Sequence, residues 1–327
     1  MKLHRRKFLH LAAGAATLPA VSQFAWAQTY PSRPVRIIVG FSAGGIVDVF
    51  ARLVGQCLSE RLAQPFIIEN KAGAASNIAA AAVVRAAPDG YTLLMIATTN
   101  AINATLYNDL AFNFITDIAP VASLFRDGTA VVVVNSSFPA KTLPDFIAYA
   151  KANPGKVKMG SAGVGSLPHV MGELFELMAG VDLAHVPYRG QLQVLTDLLG
   201  GHLDVTFDPL ANSLAHIQAG RLRALAVTQA TRRAVLPDVP SVGEFVPGYE
   251  ASGWLGIGAP KGTPSEIIER LNKEVGTCLA DAKIKERFTN LGYYTPYASS
   301  PAELTKFIAE NTAKWAKVIR TANIKRE

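Results

Sequence analysis

The sequence predicts an α/β protein with doubly wound sheets. Short apolar runs typical of strands alternate with longer stretches in which apolar residues recur at helical spacing. The chain has 327 residues, of which 50% are hydrophobic. That length and content suit one large or two ordinary domains with substantial cores.

The elements follow in a regular order. The expected strands are 35–39, 66–69, 92–97, 131–134, 156–160, 184–187, 203–207 and 222–227. The expected helices are 46–62, 77–85, 167–178, 193–199 and 210–218, with one more opening at Thr142. Near the C-terminus, Thr263 and Ser300 each begin a Ser/Thr-x-x-Glu pattern with proline next, which predicts two capped helices.

Residues 1–27 predict an export signal rather than a part of the fold. A basic start precedes an apolar stretch, and Ala25-Trp26-Ala27 has the form of a cleavage site, which makes Gln28 the first mature residue. The run RRKFL at 5–9 is typical of a twin-arginine signal, and a general secretory signal is the alternative. We therefore expect a protein of the bacterial periplasm.

The charge balance argues against a nucleic-acid partner. The formal net charge is +7, but residues 1–27 contain four of the basic residues and no acidic one, which leaves +3 for the remainder. An excess that small suits an ordinary mixed-charge surface.

The two cysteines, Cys57 and Cys278, leave two interpretations open. Both lie in apolar helical patterns, where buried free thiols are common. An oxidising compartment also permits a disulfide between them. We favour free thiols over a bridge. No Cys/His cluster with zinc-ligand spacing is present, so we expect no metal site.

Two glycine-bearing turns share one plan of strand, Ser-Ala-Gly turn and helix. They occur in VGFSAGGIVDVFARLVGQ and in KMGSAGVGSLPHVMGELF. A turn that feeds a helix N-terminus offers free N–H groups and a favourable dipole to an anion. We expect the two turns to face each other across a cleft, each holding one end of an anion. Alternatively, the glycines only allow tight turns.

Enzyme and nucleotide motifs do not fit this chain. Neither turn has the Gly-Lys-Ser/Thr of a P-loop, and GVGSLP has proline where the dinucleotide fingerprint requires its third glycine. There is no G-x-S-x-G elbow and no H-E-x-x-H motif. Ser166 and His169 are three residues apart at a helix start, where serine is expected as the N-cap. We expect no catalytic residue and no cofactor.

The sequence resembles the Bug family, the extracytoplasmic solute receptors of tripartite tricarboxylate transporters. The resemblance covers essentially the whole mature chain. It is carried by IIVGFSAGGIVDVFAR, IENKAGAASNIAAAAVVRAAPDGYTLL, NAINATLY, GSAGVGSLPHVMGELF, HVPYRG, DLLGGHLDVTFD, HIQAGRLRALAVT and LPDVPSVGEFVPGYEASGWLGIGAPKGTP, in that order.

The resemblance implies a two-lobed periplasmic-binding-protein fold (type II, Venus flytrap), with a doubly wound sheet in each lobe. We expect lobe 1 to comprise 28–122 and 231–327, and lobe 2 to comprise 123–230. The implied ligand is a small organic mono-, di- or tricarboxylate, and the implied partners are the membrane subunits of the transporter. We expect a monomer. The alternative function is an exported α/β hydrolase such as an esterase.

The chain departs from the family pattern at three places. Ser42 stands where proline is common, and Lys71 to Ser76 replace a stretch with two more glycines. After HVPYRG, Gln191-Leu192-Gln193 replace residues that are usually small. Bulkier side chains there are expected to reshape the far end of the cleft, so the ligand need not be citrate.

Several candidate residues also have a structural alternative. Asp48 suits either a helix cap or recognition of a ligand hydroxyl or amine. Thr98, Thr99, Asn100 and Asn103 follow a strand and suit either a turn or the site. Arg189 is a candidate cation for a ligand carboxylate, with a surface role as the alternative. Asp208 is expected to orient a neighbour or to bind a hydroxyl.

We expect the carboxylate to be held chiefly by the backbone N–H groups of Ala43 to Gly45. The full set of expected ligand-binding residues is Phe41, Ser42, Ala43, Gly44, Gly45, Asp48, Ser76, Thr98, Thr99, Asn100, Gly160, Ser161, Gly163, Gly165, Ser166, His169, Tyr188, Arg189, Gly190 and Asp208.

Overall fold

The structure is a computed structural model that describes residues 30–107, 109–292, 295–321 and 323–324. The predicted export signal at 1–27 lies outside the described residues. All the elements below belong to one compact unit, Arg33–Glu327. None of the helices in the described ranges combines the length and the apolar run needed to cross a membrane.

The first sheet has five strands in the order β2-β1-β3-β10-β4. Its strands are β1 (Val35–Val39), β2 (Phe66–Asn70), β3 (Thr92–Ala97), β4 (Ile118–Gly128) and β10 (Gly253–Pro260). The strands β2, β1 and β3 are parallel, whereas β10 is antiparallel to both β3 and β4. The boundary predicted between 122 and 123 falls inside β4.

The second sheet also has five strands, in the order β7-β6-β8-β5-β9. Its strands are β5 (Ala130–Asn135), β6 (Val157–Ser161), β7 (Leu183–Pro187), β8 (Val205–Pro209) and β9 (Leu222–Val227). The strands β7, β6 and β8 are parallel, and β5 runs antiparallel to β8 and β9. Two α/β sheets are therefore confirmed, but both are mixed rather than wholly parallel.

Helices follow most of the strands. They are α1 (Ile46–Leu62), α2 (Asn77–Val84), α3 (Thr98–Leu106), α4 (Phe114–Asp117), α5 (Leu143–Ala152), α6 (Leu167–Ala179), α7 (Gln191–Leu199), α8 (Leu210–Gln218), α9 (Ser265–Ala280), α10 (Ala282–Asn290) and α11 (Pro301–Thr321). Short 3-10 turns lie at Ala74–Ser76 and Val242–Glu244. The sequence analysis did not predict β4, β10, α3 or α10.

Of the two C-terminal capping patterns, one is confirmed and one is wrong. The Ser300 hydroxyl accepts from the Glu303 N–H at 3.2 Å, and the Glu303 carboxylate accepts from the Ser300 N–H at 2.9 Å. Thr263 instead donates its hydroxyl to the Pro260 carbonyl at 2.8 Å. Pro264 occupies the cap position of α9, so that helix begins without a side-chain cap.

The interpretation of free thiols is wrong, because Cys57 and Cys278 form a disulfide. It joins α1 to α9. Arg61, one turn after Cys57, pairs with Glu274, one turn before Cys278, at 2.7 Å, so the two helices lie side by side and run in opposite directions. Apolar periodicity identifies the buried face of each helix but not the neighbour it meets, which is why the pairing was not predicted.

Strand β5 separates two cores. Successive side chains of β5 point to opposite faces of the sheet, and this shows which face the paired residues of β8 occupy. Val132 and Val134 pack toward α5 and α6, whereas Val131 and Val133 pack toward α7 and α8. On β8, Asp208 lies opposite Val131 and Thr206 lies opposite Val133. Residues directly opposite each other share a face. Both polar side chains of β8 are therefore directed toward α7 and α8.

Candidate functional site: a two-part cleft

A cleft lies between the turns of the two sheets. We call it the apolar compartment. Its apolar walls are Phe41, Ile46, Val47, Phe125, Leu167, Pro168, Met171, Leu192, Phe207, Trp254 and Leu255. Its polar side chains are Ser42, Thr98, Thr99, Thr129, Ser166, Gln191 and Asn212. Among the described residues that line it, none is Asp, Glu, Lys, Arg or His.

A second space adjoins the first, because Phe41 and Ala162 line both. We call it the polar compartment. Its other lining residues are Gly40, Gly73, Ala74, Ala75, Tyr107, Gly163, Val164, Tyr188 and Arg189. Residues from both glycine-bearing turns line both compartments.

Five helices present their first turns to the apolar compartment. The lining includes residues that begin α1, α3, α6, α7 and α8, each of which follows a strand. The N-caps of α1, α6 and α7 make no side-chain cap bond. In α6 the Leu167 N–H donates to Thr99 and Pro168 has no N–H, so the N–H groups at the start of α1 and α7, with the positive ends of the helix dipoles, favour an anion here without a charged side chain.

Ser166 provides a further polar group at this place. It is fully buried and holds the N-cap position of α6, as predicted. Its hydroxyl has no hydrogen-bond partner among the described residues. Because Ser166 lines the compartment, its unpartnered hydroxyl lies beside the space that a ligand would fill. Buried polar groups without a partner are costly, so a ligand that accepts from it relieves that cost.

The first glycine-bearing turn is braced by Asp48, the third residue of α1. Its carboxylate accepts from the Gly44 N–H at 2.8 Å, from Arg52 at 2.9 Å and from Asn70 at 2.9 Å. Burial alone would raise the pKa of Asp48, but these hydrogen bonds outweigh it and hold the pKa below the ordinary value. The structural alternative for Asp48 thus accounts for its contacts.

The same contacts correct the expected set of backbone donors. The Gly44 N–H is already donated to Asp48, and the Gly45 N–H lies 3.4 Å from the Ser42 carbonyl. Ala43 and Gly44 are exposed and do not line the cleft, whereas Gly45 does. The turn therefore meets the cleft at Gly45, Ile46 and Val47, where α1 begins, rather than at Ala43 and Gly44.

The second turn is braced by histidines behind it. The Gly165 N–H donates to His169 Nδ1 at 3.2 Å, so the His169 proton lies on Nε2, which faces Glu173 at 3.3 Å. The His185 ring stacks on His169, with centroids 4.1 Å apart, and contacts the Ser161 hydroxyl at 2.6 Å. Burial lowers the pKa of His185 to about 4, so it stays neutral. These side chains fix the shape of the turn.

The two halves touch across the cleft. The Tyr107 hydroxyl donates to the Val164 carbonyl at 2.8 Å, and the Leu167 N–H donates to the Thr99 hydroxyl at 3.3 Å. On the other side, Gly190 packs so closely on Ser42 that a Cβ on Gly190 would lie 2.6 Å from the Ser42 Oγ. The cleft is therefore closed at both edges.

Residues 50–324 match a family described as the tripartite tricarboxylate transporter family receptor. The chain belongs to this family. It is 36% identical over 302 residues to protein BugT of Bordetella pertussis, which covers 91% of this chain and 92% of that protein. The predicted resemblance is confirmed.

Solved structures agree with the fold of this receptor. The periplasmic binding protein BugD is 32% identical, with a TM-score of 0.86 over 91% of this chain and 100% of that one. R. palustris Rpa4515, solved with adipate, is 36% identical, with a TM-score of 0.87 over 90% of this chain and 99% of that one. The predicted periplasmic-binding-protein fold is confirmed.

Several residues that were expected at the site line the cleft of the receptor. In the apolar compartment these are Phe41, Ser42, Gly45, Thr98, Thr99 and Ser166. In the polar compartment they are Phe41, Gly163, Tyr188 and Arg189. Expected residues that line neither compartment are Ala43, Gly44, Asp48, Ser76, Asn100, Gly160, Ser161, Gly165, His169, Gly190 and Asp208.

The sequence analysis missed the apolar walls. Phe125, Phe207, Trp254 and Leu255 lie on strands, where a large apolar residue more often belongs to a core. These residue types on strands therefore gave no indication of a ligand site. Phe41 and Leu192 are exceptions, and both line the compartment. Phe41 was expected to bind the ligand, and the bulk of Leu192 after HVPYRG was expected to reshape the cleft.

Asp208 is the one fully buried carboxyl group beside the cleft among the described residues. Its Oδ1 accepts from the Asn212 amide at 3.3 Å, and its Oδ2 has no partner among the described residues. Burial raises the pKa of Asp208 from 3.8 to about 7, because the charged form has no compensating cation here. The expected role of orienting a neighbour fits the contact with Asn212, a cleft residue.

Because the pKa of Asp208 is raised, we predict that Asp208→Asn makes the free energy of unfolding less dependent on pH. Between about pH 4 and pH 7 the folded receptor keeps a proton that the unfolded chain releases. The wild type therefore loses stability as pH rises through that window, by up to about 1.4 kcal/mol per unit. In urea unfolding at several pH values, the free energy of unfolding of the variant relative to that of the wild type should increase from pH 4 to pH 7. A stability difference that does not change with pH contradicts this.

Proposed function

We propose that this receptor captures a small organic carboxylate in the cleft between its two sheets. The observation that carries the proposal is the unpartnered Ser166 hydroxyl among first turns of helices, in a compartment without charged side chains. Such a site stabilises one anionic group by hydrogen bonds and dipoles. The adipate held by Rpa4515 supports the same chemical class of ligand.

The two sheets mark the two lobes of the proposed receptor, which approach each other when the ligand binds. The family to which the chain belongs consists of receptors, which favours capture over the hydrolase alternative. We propose that the receptor has no catalytic activity and works as a monomer in the periplasm. Its signal peptide is proposed to end at Ala27, and its partners are the membrane subunits of a tripartite tricarboxylate transporter or a sensor.

A thermal-shift screen with mono-, di- and tricarboxylates tests this function. At a hundredfold excess over Kd, a ligand adds about 2.7 kcal/mol to the free energy of unfolding. For a protein of this size that corresponds to roughly 5–10 °C in Tm. Ser166→Ala should weaken the binding of the best carboxylate roughly 10- to 150-fold, because it removes a hydrogen bond to a charged group worth about 1.5–3 kcal/mol.

The matched control is Ser137→Ala, which removes an exposed hydroxyl that donates to Asn135 rather than to the cleft. Calorimetry should give the same Kd for Ser137→Ala and the wild type. If no carboxylate raises Tm, the proposed function is wrong. If carboxylates bind equally well to a folded Ser166→Ala, the carboxylate lies elsewhere in the protein.

A further inference from the structure

The walls of the apolar compartment describe the part of the ligand beyond its carboxylate. The compartment that Ser166 lines is also bounded by Phe125, Met171, Phe207, Trp254 and Leu255. A ligand body that fills this space leaves water for an apolar surface, which is favourable only if the body is itself apolar.

Three of the polar groups that line the compartment already donate to the protein. The Trp254 indole donates to Asn311 at 2.8 Å, and the Thr129 hydroxyl donates to Gln229 at 2.9 Å. The Gln191 amide donates to Thr206 at 2.9 Å. These donors are not free to hold a second carboxylate or the hydroxyl groups of a hydroxy acid.

One oxygen atom in this region also disfavours a second anion. The Thr206 hydroxyl donates to the Gly160 carbonyl, so it can only accept from Gln191. Gln191 therefore presents its carbonyl oxygen away from Thr206, and that oxygen has no partner among the described residues. An amide oxygen is only an acceptor, so it does not stabilise a carboxylate.

We propose that the solute is a monocarboxylate with an apolar body, of the medium-chain aliphatic or aryl type, whose carboxylate meets Ser166 and whose body lies against Phe125, Phe207 and Trp254. This proposal rests on the proposed function, since it assigns the ligand class of the same cleft. It sets the receptor apart from binders of short hydroxy acids and of tricarboxylates.

Calorimetry with a homologous series of ligands tests the ligand class. From butyrate to octanoate, Kd should fall about fourfold per methylene, the equivalent of about 0.8 kcal/mol. The heat capacity change should become more negative along the series, as it does when apolar surface is buried. Hexanoate should bind at least tenfold more tightly than adipate, which has the same chain length and one more charge.

Leu192→Asn provides a matched test in the wall, because Leu192 lines the compartment at the start of α7. It should weaken octanoate more than butyrate, whereas Leu177→Asn, at an exposed leucine of α6, should change neither. Hexanamide should bind far more weakly than hexanoate.

The outcomes separate the two proposals. Tighter binding of adipate or citrate than of hexanoate, or a Kd that does not change with chain length, overturns the apolar body and leaves carboxylate capture intact. Hexanamide binding as tightly as hexanoate overturns carboxylate capture. If neither the series nor adipate nor citrate binds, both proposals are overturned.

Discussion

Gly190→Val should weaken carboxylate binding roughly 5- to 150-fold while the protein stays folded. Gly190 has an extended backbone (φ −174°) that any residue adopts, so the substitution causes no backbone strain. A Cβ there would lie 2.6 Å from the Ser42 Oγ and 3.1 Å from the Ser42 Cβ, across the cleft. Overpacking of this kind costs about 1–3 kcal/mol. That cost falls on the closed form, which holds the ligand. Calorimetry with hexanoate and adipate gives the change in Kd.

A compensating variant shows whether Ser42 is the cause. Ser42→Gly removes both atoms that the new side chain would meet, so Gly190→Val with Ser42→Gly should recover most of the lost affinity. The third close atom, Gln193 Oε1 at 3.0 Å, belongs to an exposed flexible side chain and can move. Wild-type affinity in a folded Gly190→Val would mean that closure across this contact is not needed for binding.

The elements that were predicted well are those whose signal is local. Strand β1 follows from an apolar run before a glycine turn, and α1 follows from periodic apolar residues after it. Both were predicted with their observed bounds. The N-cap position of Ser166 was predicted for the same reason, because a serine before a helical pattern depends on its neighbours in sequence.

Strand β10 was missed because its glycines conceal it. A Cβ on Gly256 would lie 2.7 Å from the Ala122 carbonyl, so β4 approaches the backbone of β10 where no side chain fits. Glycine weakens the sequence signal of a strand, and here it is required by a neighbouring strand far away in sequence. The register shifts between β10 and β4 belong to the same close packing.

Helix α3 was missed because its residues are poor helix formers that tertiary contacts hold in place. Thr98 accepts from the Trp254 N–H at 2.8 Å, and Asn103 donates to the Ala75 carbonyl at 2.7 Å. These residues form a helix, so the turn that was left open as their structural alternative is not observed. The site was predicted to a similar extent. The turns of the cleft depend on local sequence and were predicted, whereas its apolar walls come from strands that are distant in sequence and meet only in the fold.

Removing the disulfide with Cys57→Ala and Cys278→Ala should lower the free energy of unfolding by about 4 kcal/mol. The bridge joins residues 221 apart in sequence. In the chain-entropy account, the stabilisation by a disulfide increases with the length of the loop that it closes in the unfolded chain. Alanine is a better replacement than serine at Cys278, which is fully buried, because it introduces no polar atom. The expected fall in Tm is roughly 8–16 °C by calorimetry.

The neighbouring ion pair is the matched control for this loss. Arg61→Ala with Glu274→Ala removes a contact between the same two helices, but a pair open to solvent contributes no more than about 1 kcal/mol. Wild-type protein that is unfolded and refolded in dithiothreitol should have the same Tm as the variant with Cys57→Ala and Cys278→Ala. Carboxylate affinity should not change in either variant, since neither Cys57 nor any residue of α9 lines the cleft. A double alanine variant that melts within about 2 °C of the oxidised wild type would mean that the packing of α1 on α9, rather than the covalent bridge, holds these helices together.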